Sequence, residues 1–312
     1  MLETSFINPL KENKIEKILP LAKGEFHNHL ALGGSFFEFC KRANVSIPPP
    51  PSKMKQLGEM NDYIFETLRP YILTRDGFEL SLRLAFEQAV NDGITILESS
   101  VDCFFALQYT DGVDGMIRYI RALQDEFKGK LEYRPEIGFS RQPEVRTTEQ
   151  TLIPCIESGY FTSIDLYGEE LAKPASMFKE IYKLAGRHNL KRKSHAGEFG
   201  TDEDVRKTVE ILELDEVQHG IAAANSKEIM RWLAQNNIRL NICPTSNVLL
   251  SRVQEMKTHP ARILYDNGIT LSINTDDYFI FHKSVSEEYL SLYNAGVLNA
   301  EELEKIRLGT IS

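Results

Sequence analysis

Eight short apolar runs, separated by segments of helical character, constrain this chain more than any other feature. They cover residues 24–32, 94–101, 131–139, 160–166, 191–195, 216–219, 238–243 and 269–274. Parallel neighbours need a long crossover, which a helix supplies, so alternating strands and helices imply a parallel sheet. Eight such units predict a closed (β/α)8 barrel of the TIM type. No internal repeat or second domain boundary interrupts the 312 residues, and the whole of 1–312 is read as one barrel domain.

The helical segments carry recognisable punctuation. Thr201 with Asp204 forms a capping box, Asn225 or Ser226 starts the next helix, Thr258 is expected to cap the helix ending near Gly268, and Asn299 with Glu302 opens the last one. Residues 8–18 read as one amphipathic helix ended by Pro20. Residues 36–90 are longer than a simple connection and include Pro48 to Pro51, which cannot sit inside a helix. Rich in Met54, Leu57, Met60, Tyr63, Ile64, Phe65 and Leu68, this segment is expected to be a helical, lid-like insertion after strand one.

Composition narrows the function. A net charge of -9 argues against a nucleic-acid footprint, and the short cluster Lys191-Arg192-Lys193 reads as the solvated start of a strand. No apolar stretch suits a secretory leader or a membrane span, which places the expected protein in the cytoplasm with a small-molecule partner. Cys40, Cys103, Cys155 and Cys243 are scattered, so any metal site must use His and carboxylate ligands.

A barrel of this kind puts its reactive residues at the carboxyl ends of different strands. His27 and His29, two apart and so on one face of a strand, end the first run. His195 ends the fifth, His219 the sixth, and Asp276 and Asp277 follow the eighth; His188, His259 and His282 are read as surface residues. Hydrogen-bonded core histidines are the plain alternative for any one of these. Together, His27, His29, His195 and Asp276 form a nitrogen and oxygen set suited to one zinc ion with a position left for water, although iron, cobalt or manganese also fit such ligands. Zinc lowers the pKa of its water to roughly 7, and His219 is placed to hydrogen-bond that water. Glu198, three residues past a ligand, suits a proton donor if burial keeps it protonated. Asp277 is expected to turn to the substrate, since adjacent residues of a regular strand cannot face one ion.

The stretches FHNHL, SHAGE, VQHG, CPTSN and NTDD, in this order and spacing, resemble the adenosine deaminase family of the amidohydrolase superfamily from Gly24 to the last helix. The resemblance implies one zinc ion held by His27, His29, His195 and Asp276, and hydrolytic loss of ammonia from a purine-like ring. It implies that Glu198 protonates the ring nitrogen beside the attacked carbon, His219 orients the hydroxide and Asp277 meets the imidazole-ring nitrogen. It further implies that the Gly168 amide contacts another ring nitrogen and that Ser246 supports the ligands. No lysine ends strand four, which argues against a carbamylated lysine bridging two metals.

One position departs from the family. The acidic residue that contacts the sugar in adenosine deaminases is missing from Leu30-Ala31-Leu32-Gly33, which leaves adenosine, free adenine, a modified nucleoside or a pterin as candidate substrates. An amide or phosphoester hydrolase on the same barrel, and a binding protein without turnover, are the rival readings.

Overall fold

The computed structural model describes residues 5–311, apart from the side chains at 146 and 147. Among these residues the eight runs form eight parallel strands in sequential order. They are β1 (Lys23–Glu25), β2 (Ile94–Asp102), β3 (Glu132–Ser140), β4 (Ser163–Tyr167), β5 (Lys191–Ala196), β6 (Glu216–His219), β7 (Arg239–Ile242) and β8 (Leu271–Ile273). The ring closes between β8 and β1, where the Asp276 amide donates to the His27 carbonyl and the His29 amide donates to the Asp276 carbonyl, both at 3.1 Å.

Alternation along each strand sorts side chains between two environments. Outward residues such as Ile137, Phe139, Ile164, Leu166, Val217 and Leu240 are buried against the helices. Those helices answer with apolar stripes, as Ile181, Tyr182 and Ala185 do in Lys179–Arg187, and Ile229, Met230 and Leu233 in Lys227–Gln235. Each such side chain, fully buried, contributes roughly 1.5–3 kcal/mol.

Inward residues are polar. Lys193 is fully buried at the centre of the barrel, 2.6 Å from Glu98 and 2.8 Å from Glu136, and its ammonium also donates to the Phe26 carbonyl at 3.1 Å. The expected solvated start of a strand is therefore wrong for Lys193, because alternation points residues 191, 193 and 195 into the barrel. Burial disfavours its charge, but the surrounding glutamates outweigh that and raise its pKa.

Several local expectations hold. The Thr201 and Asn299 capping boxes are present and Ser226 caps Lys227–Gln235. Thr258 instead lies in a single 3-10 turn, and Pro260 leads into the helix Ala261–Asp266 because its fixed φ suits a helix start. The single helix expected over 8–18 is two, Ile7–Lys11 and Ile15–Ile18, broken at Asn13 with φ 55°.

The segment after β1 divides in two. Arg75–Asn91 is a long helix packed against β2 and the turn that follows β1. The backbones meet closely, since a Cβ on Gly34 would lie 2.5 Å from Leu84 Cβ. Ahead of it, the helices Phe36–Ala43, Leu57–Asp62 and Arg69–Ile72 build a second apolar cluster in which Phe36, Phe39, Met60, Leu68 and Ile72 pack with Leu250 and Phe279.

Candidate metal centre and catalytic cavity

The strand ends bring four candidate ligands to one point. Atoms of His27, His29, His195 and Asp276 all lie within 4.8 Å of one another. Each is aimed by a partner behind it. His27 Nδ1 donates to the Asn241 carbonyl at 3.1 Å, His195 Nδ1 lies 3.3 Å from Asp165 Oδ1, and His29 Nδ1 lies 2.9 Å from Ser100 Oγ. With their Nδ1 hydrogens so committed, the Nε2 lone pairs of His27 and His195 face each other at 3.1 Å. Two converging lone pairs repel unless a cation lies between them.

The carboxylate completes the set. Asp276 Oδ1 is 3.4 Å from Nε2 of both His27 and His29, and Ser246 donates to its other oxygen at 2.7 Å. Burial works against a charge on His29, yet Asp277 and Asp276 outweigh it and hold its pKa up at about 10. The carboxylates around this point favour a positive charge there, which a bound cation can supply in place of the proton. These residues fit a divalent cation by donor type, by orientation and by charge.

Backbone strain helps the strand ends deliver these groups. β8 stops at Ile273 and Asp276 adopts φ 65°, so the regular alternation is broken and Asp277 reaches the same cavity as its neighbour. His219 adopts φ 61° at the end of β6, and its Nε2 lies 3.3 Å from Glu198 Oε2. Burial lowers the His219 pKa well below the usual range, which leaves a neutral ring.

Glu198 is held from behind by a residue that sequence reasoning missed. The buried Glu170 carboxylate accepts the amides of Gly197 at 2.5 Å, Glu198 at 3.1 Å, Phe199 at 2.8 Å and Gly200 at 3.0 Å. The loop wraps around it through Gly197 at φ 70°, where a Cβ would lie 2.2 Å from Val205. Burial, with Asp276 and Glu170 nearby, pushes the Glu198 carboxyl well above its ordinary value. Burial likewise lifts Asp277 to about 8. Glu198 Oε1 and Asp277 Oδ1 have no hydrogen-bond partner among the described residues.

These groups open into a cavity of about 530 Å³. Gly168, whose φ is 86°, lines it together with Ala31, Leu57, Met60, Ile64 and Phe65. Asp165 and Ser100 were also missed as supports, although the polar alternation Ser163-Ile164-Asp165 signals an inward carboxylate. His188 is exposed and His282 half-buried, but His259 is 3 % exposed and is not the surface residue expected. The turn at Thr258-His259-Pro260 folds its ring under the loop after β7, where Asn247 meets it.

A parallel barrel with three imidazoles and an aspartate converging at the carboxyl ends of its strands defines a hydrolase of the metal-dependent barrel class. The sequence model of the adenosine deaminase family matches residues 79–311. A Treponema pallidum (strain Nichols) protein provisionally named an adenosine/adenine deaminase is 36% identical, over 91% of this chain and 96% of its own length. The adenosine deaminase of Clostridium acetobutylicum is 28% identical over 95% of this chain and 94% of its own. Among solved structures, adenine deaminase from Arthrobacter aurescens superposes with a TM-score of 0.80 at 20% identity, covering 94% of this chain and 92% of that one. An amidohydrolase from Burkholderia ambifaria, crystallised with bound zinc, gives 0.78 at 19% identity over 95% and 86%. The chain belongs to the adenosine deaminase family and is a hydrolytic deaminase of C–N bonds. No helix among the described residues is long and apolar enough to cross a membrane.

Proposed function

We propose that this protein removes ammonia from an amino-substituted purine, as free base or nucleoside, using one zinc ion held by His27, His29, His195 and Asp276. The observation that carries this reading is the meeting of that ligand set with two buried carboxyl oxygens, on Glu198 and Asp277, that have no partner among the described residues, in one cavity. When bound, the ion makes hydroxide available near neutral pH.

The chain's own groups then do the positioning and the proton transfer. Glu198, kept protonated by burial, gives its proton to the ring nitrogen beside the attacked carbon. Developing negative charge meets the Nε2–H of His219. Asp277, lifted to about 8, donates to the imidazole-ring nitrogen, and the Gly168 amide takes a further ring nitrogen. Ser246 holds Asp276 in place. Helices Leu57–Asp62 and Arg69–Ile72 act as the cover.

A ribose finds no carboxylate at Ala31, so nucleoside recognition falls to other polar lining groups, Arg69, Gln108 and Gln142. The test is ammonia release from adenine, adenosine, 5′-deoxyadenosine and a pterin by zinc-loaded enzyme and by Glu198→Gln. Purines turn over, the pterin does not, and the variant loses about 10²-fold or more in kcat. Full activity in Glu198→Gln would sink the proton-transfer role.

A further inference from the structure

His259 is buried and does not line the cavity, and its surroundings fix where its proton sits. A backbone N–H can only donate, and that of Ala261 donates to His259 Nδ1 at 3.1 Å. Burial lowers this imidazole to about 3, so the ring is neutral and its one hydrogen is on Nε2. That Nε2 lies 3.3 Å from Asn247 Oδ1, which must be the accepting oxygen.

The amide orientation is thereby determined from a backbone hydrogen and needs no assignment of its own. Asn247 Nδ2 then points at His219 Nδ1, 3.2 Å away. An N–H donated to Nδ1 makes that nitrogen the acceptor, and the His219 hydrogen is left on Nε2. This nitrogen faces the reacting centre, 3.3 Å from Glu198 Oε2 and 3.9 Å from Asp276 Oδ2.

We propose that His259 and Asn247 are positioning residues that lock His219 in its Nε2–H tautomer, so that it presents a donor to the reacting atoms. The chain Ala261 N–H, His259, Asn247, His219 runs one way, and each member leaves the next a single choice. The functional weight of this lock rests on the reading of His219 as a donor at the reacting centre, whereas the tautomer itself can be measured without turnover.

The experiment uses zinc-loaded protein labelled with ¹⁵N-histidine, with the His219 signals assigned by their loss in His219→Gln. Wild type should show a pyridine-type Nδ1 and a pyrrole-type Nε2 at His219. In Asn247→Asp the new carboxylate accepts from both rings and moves the His219 hydrogen to Nδ1. There kcat for ammonia release from adenine or adenosine falls about 10- to 100-fold, the scale of lost supporting partners, with KM changed by less than about twofold. His259→Leu produces a mixed tautomer and a smaller loss in kcat, and His259→Gln, whose amide N–H can still donate to Asn247 Oδ1, recovers most of it. A His219 hydrogen on Nδ1 in wild type overturns the proposal, even if the variants fail to fold. So does Asn247→Asp with an unchanged tautomer and full kcat. A wild type that shows the expected tautomer but releases no ammonia from any purine overturns the proposed function and leaves the lock standing.

Discussion

Replacing Glu170 by glutamine changes one atom and tests whether the loop carrying Glu198 depends on a single buried carboxylate. One of its oxygens accepts the amides of Glu198, Phe199 and Gly200, and the other accepts that of Gly197. A glutamine can satisfy the three with its carbonyl, and its NH2 then opposes the Gly197 N–H. Hydrogen bonds to a charged acceptor contribute about 1.5–3 kcal/mol and neutral ones about 0.5–1.5, so the three lose about 1 kcal/mol each. The Gly197 amide, left without an acceptor, costs about 1–3 kcal/mol more. Loop relaxation recovers part of this, and a net loss of about 3 kcal/mol is expected if the loop holds its shape. If it gives way instead, Glu198 shifts, and a displacement of about 1 Å at a reacting group lowers kcat by about 100-fold. Urea unfolding reads the first outcome and ammonia release the second. A Glu170→Gln protein within about 0.5 kcal/mol of wild type and with unchanged kcat refutes the reasoning.

Three further outcomes follow from the same structure. Ser246→Ala removes the 2.7 Å hydrogen bond to Asp276 and should weaken zinc binding about 10- to 100-fold, measured by chelator competition. Lys193→Met leaves Glu98 and Glu136 facing each other inside the barrel and should cost about 3–5 kcal/mol in urea unfolding, far more than an exposed ion pair. Burial raises the Glu288 carboxyl from an ordinary 4.5 to about 8, so the folded protein takes up a proton that the unfolded chain releases. The stability this contributes is complete below 4.5 and is lost as the pH rises through about 8. Glu288→Gln should therefore flatten the decline in Tm across that window, and an identical decline in both proteins contradicts the assignment.

The barrel was legible because its signal is periodic and local. The two-residue spacing put His27 and His29 on one side of an extended stretch, although β1 ends at Glu25 and Leu30–Leu32 is a 3-10 turn, so only isolated bridges at Asn28 and His29 continue the strand. The rule that reactive groups sit at strand ends brought His195, His219 and Asp276 together. What stayed hidden depends on contacts across the fold. Glu170 lies 27 to 30 positions before the amides it holds, and nothing in its own neighbourhood marks it as buried. His259 follows Thr258, which read as a helix cap, and so was read as a surface residue, whereas Asn247 of the loop after β7 meets its buried ring. Lys193 belonged to a basic triplet whose composition suggested solvent, while its register in β5 pointed it inward. At Asp276, the left-handed backbone that lets two adjacent aspartates share a cavity leaves no trace in residue type, since aspartate is common with and without it.

The helices between β1 and Arg75 keep an apolar cluster of their own, built around Phe36, Phe39, Met60 and Ile72 and joined to the loops after β7 and β8 through Leu250 and Phe279. The candidate ligands and the groups proposed to transfer protons hang instead from the strand ends above the ion lattice of Lys193. The two parts have distinct cores and meet at Leu250 and Phe279. Substituting cavity-lining residues such as Leu57, Ile64 and Phe65 is expected to change the range of molecules admitted while leaving the candidate ligands in place. Related barrels that share this floor can therefore diverge in diet before they diverge in chemistry.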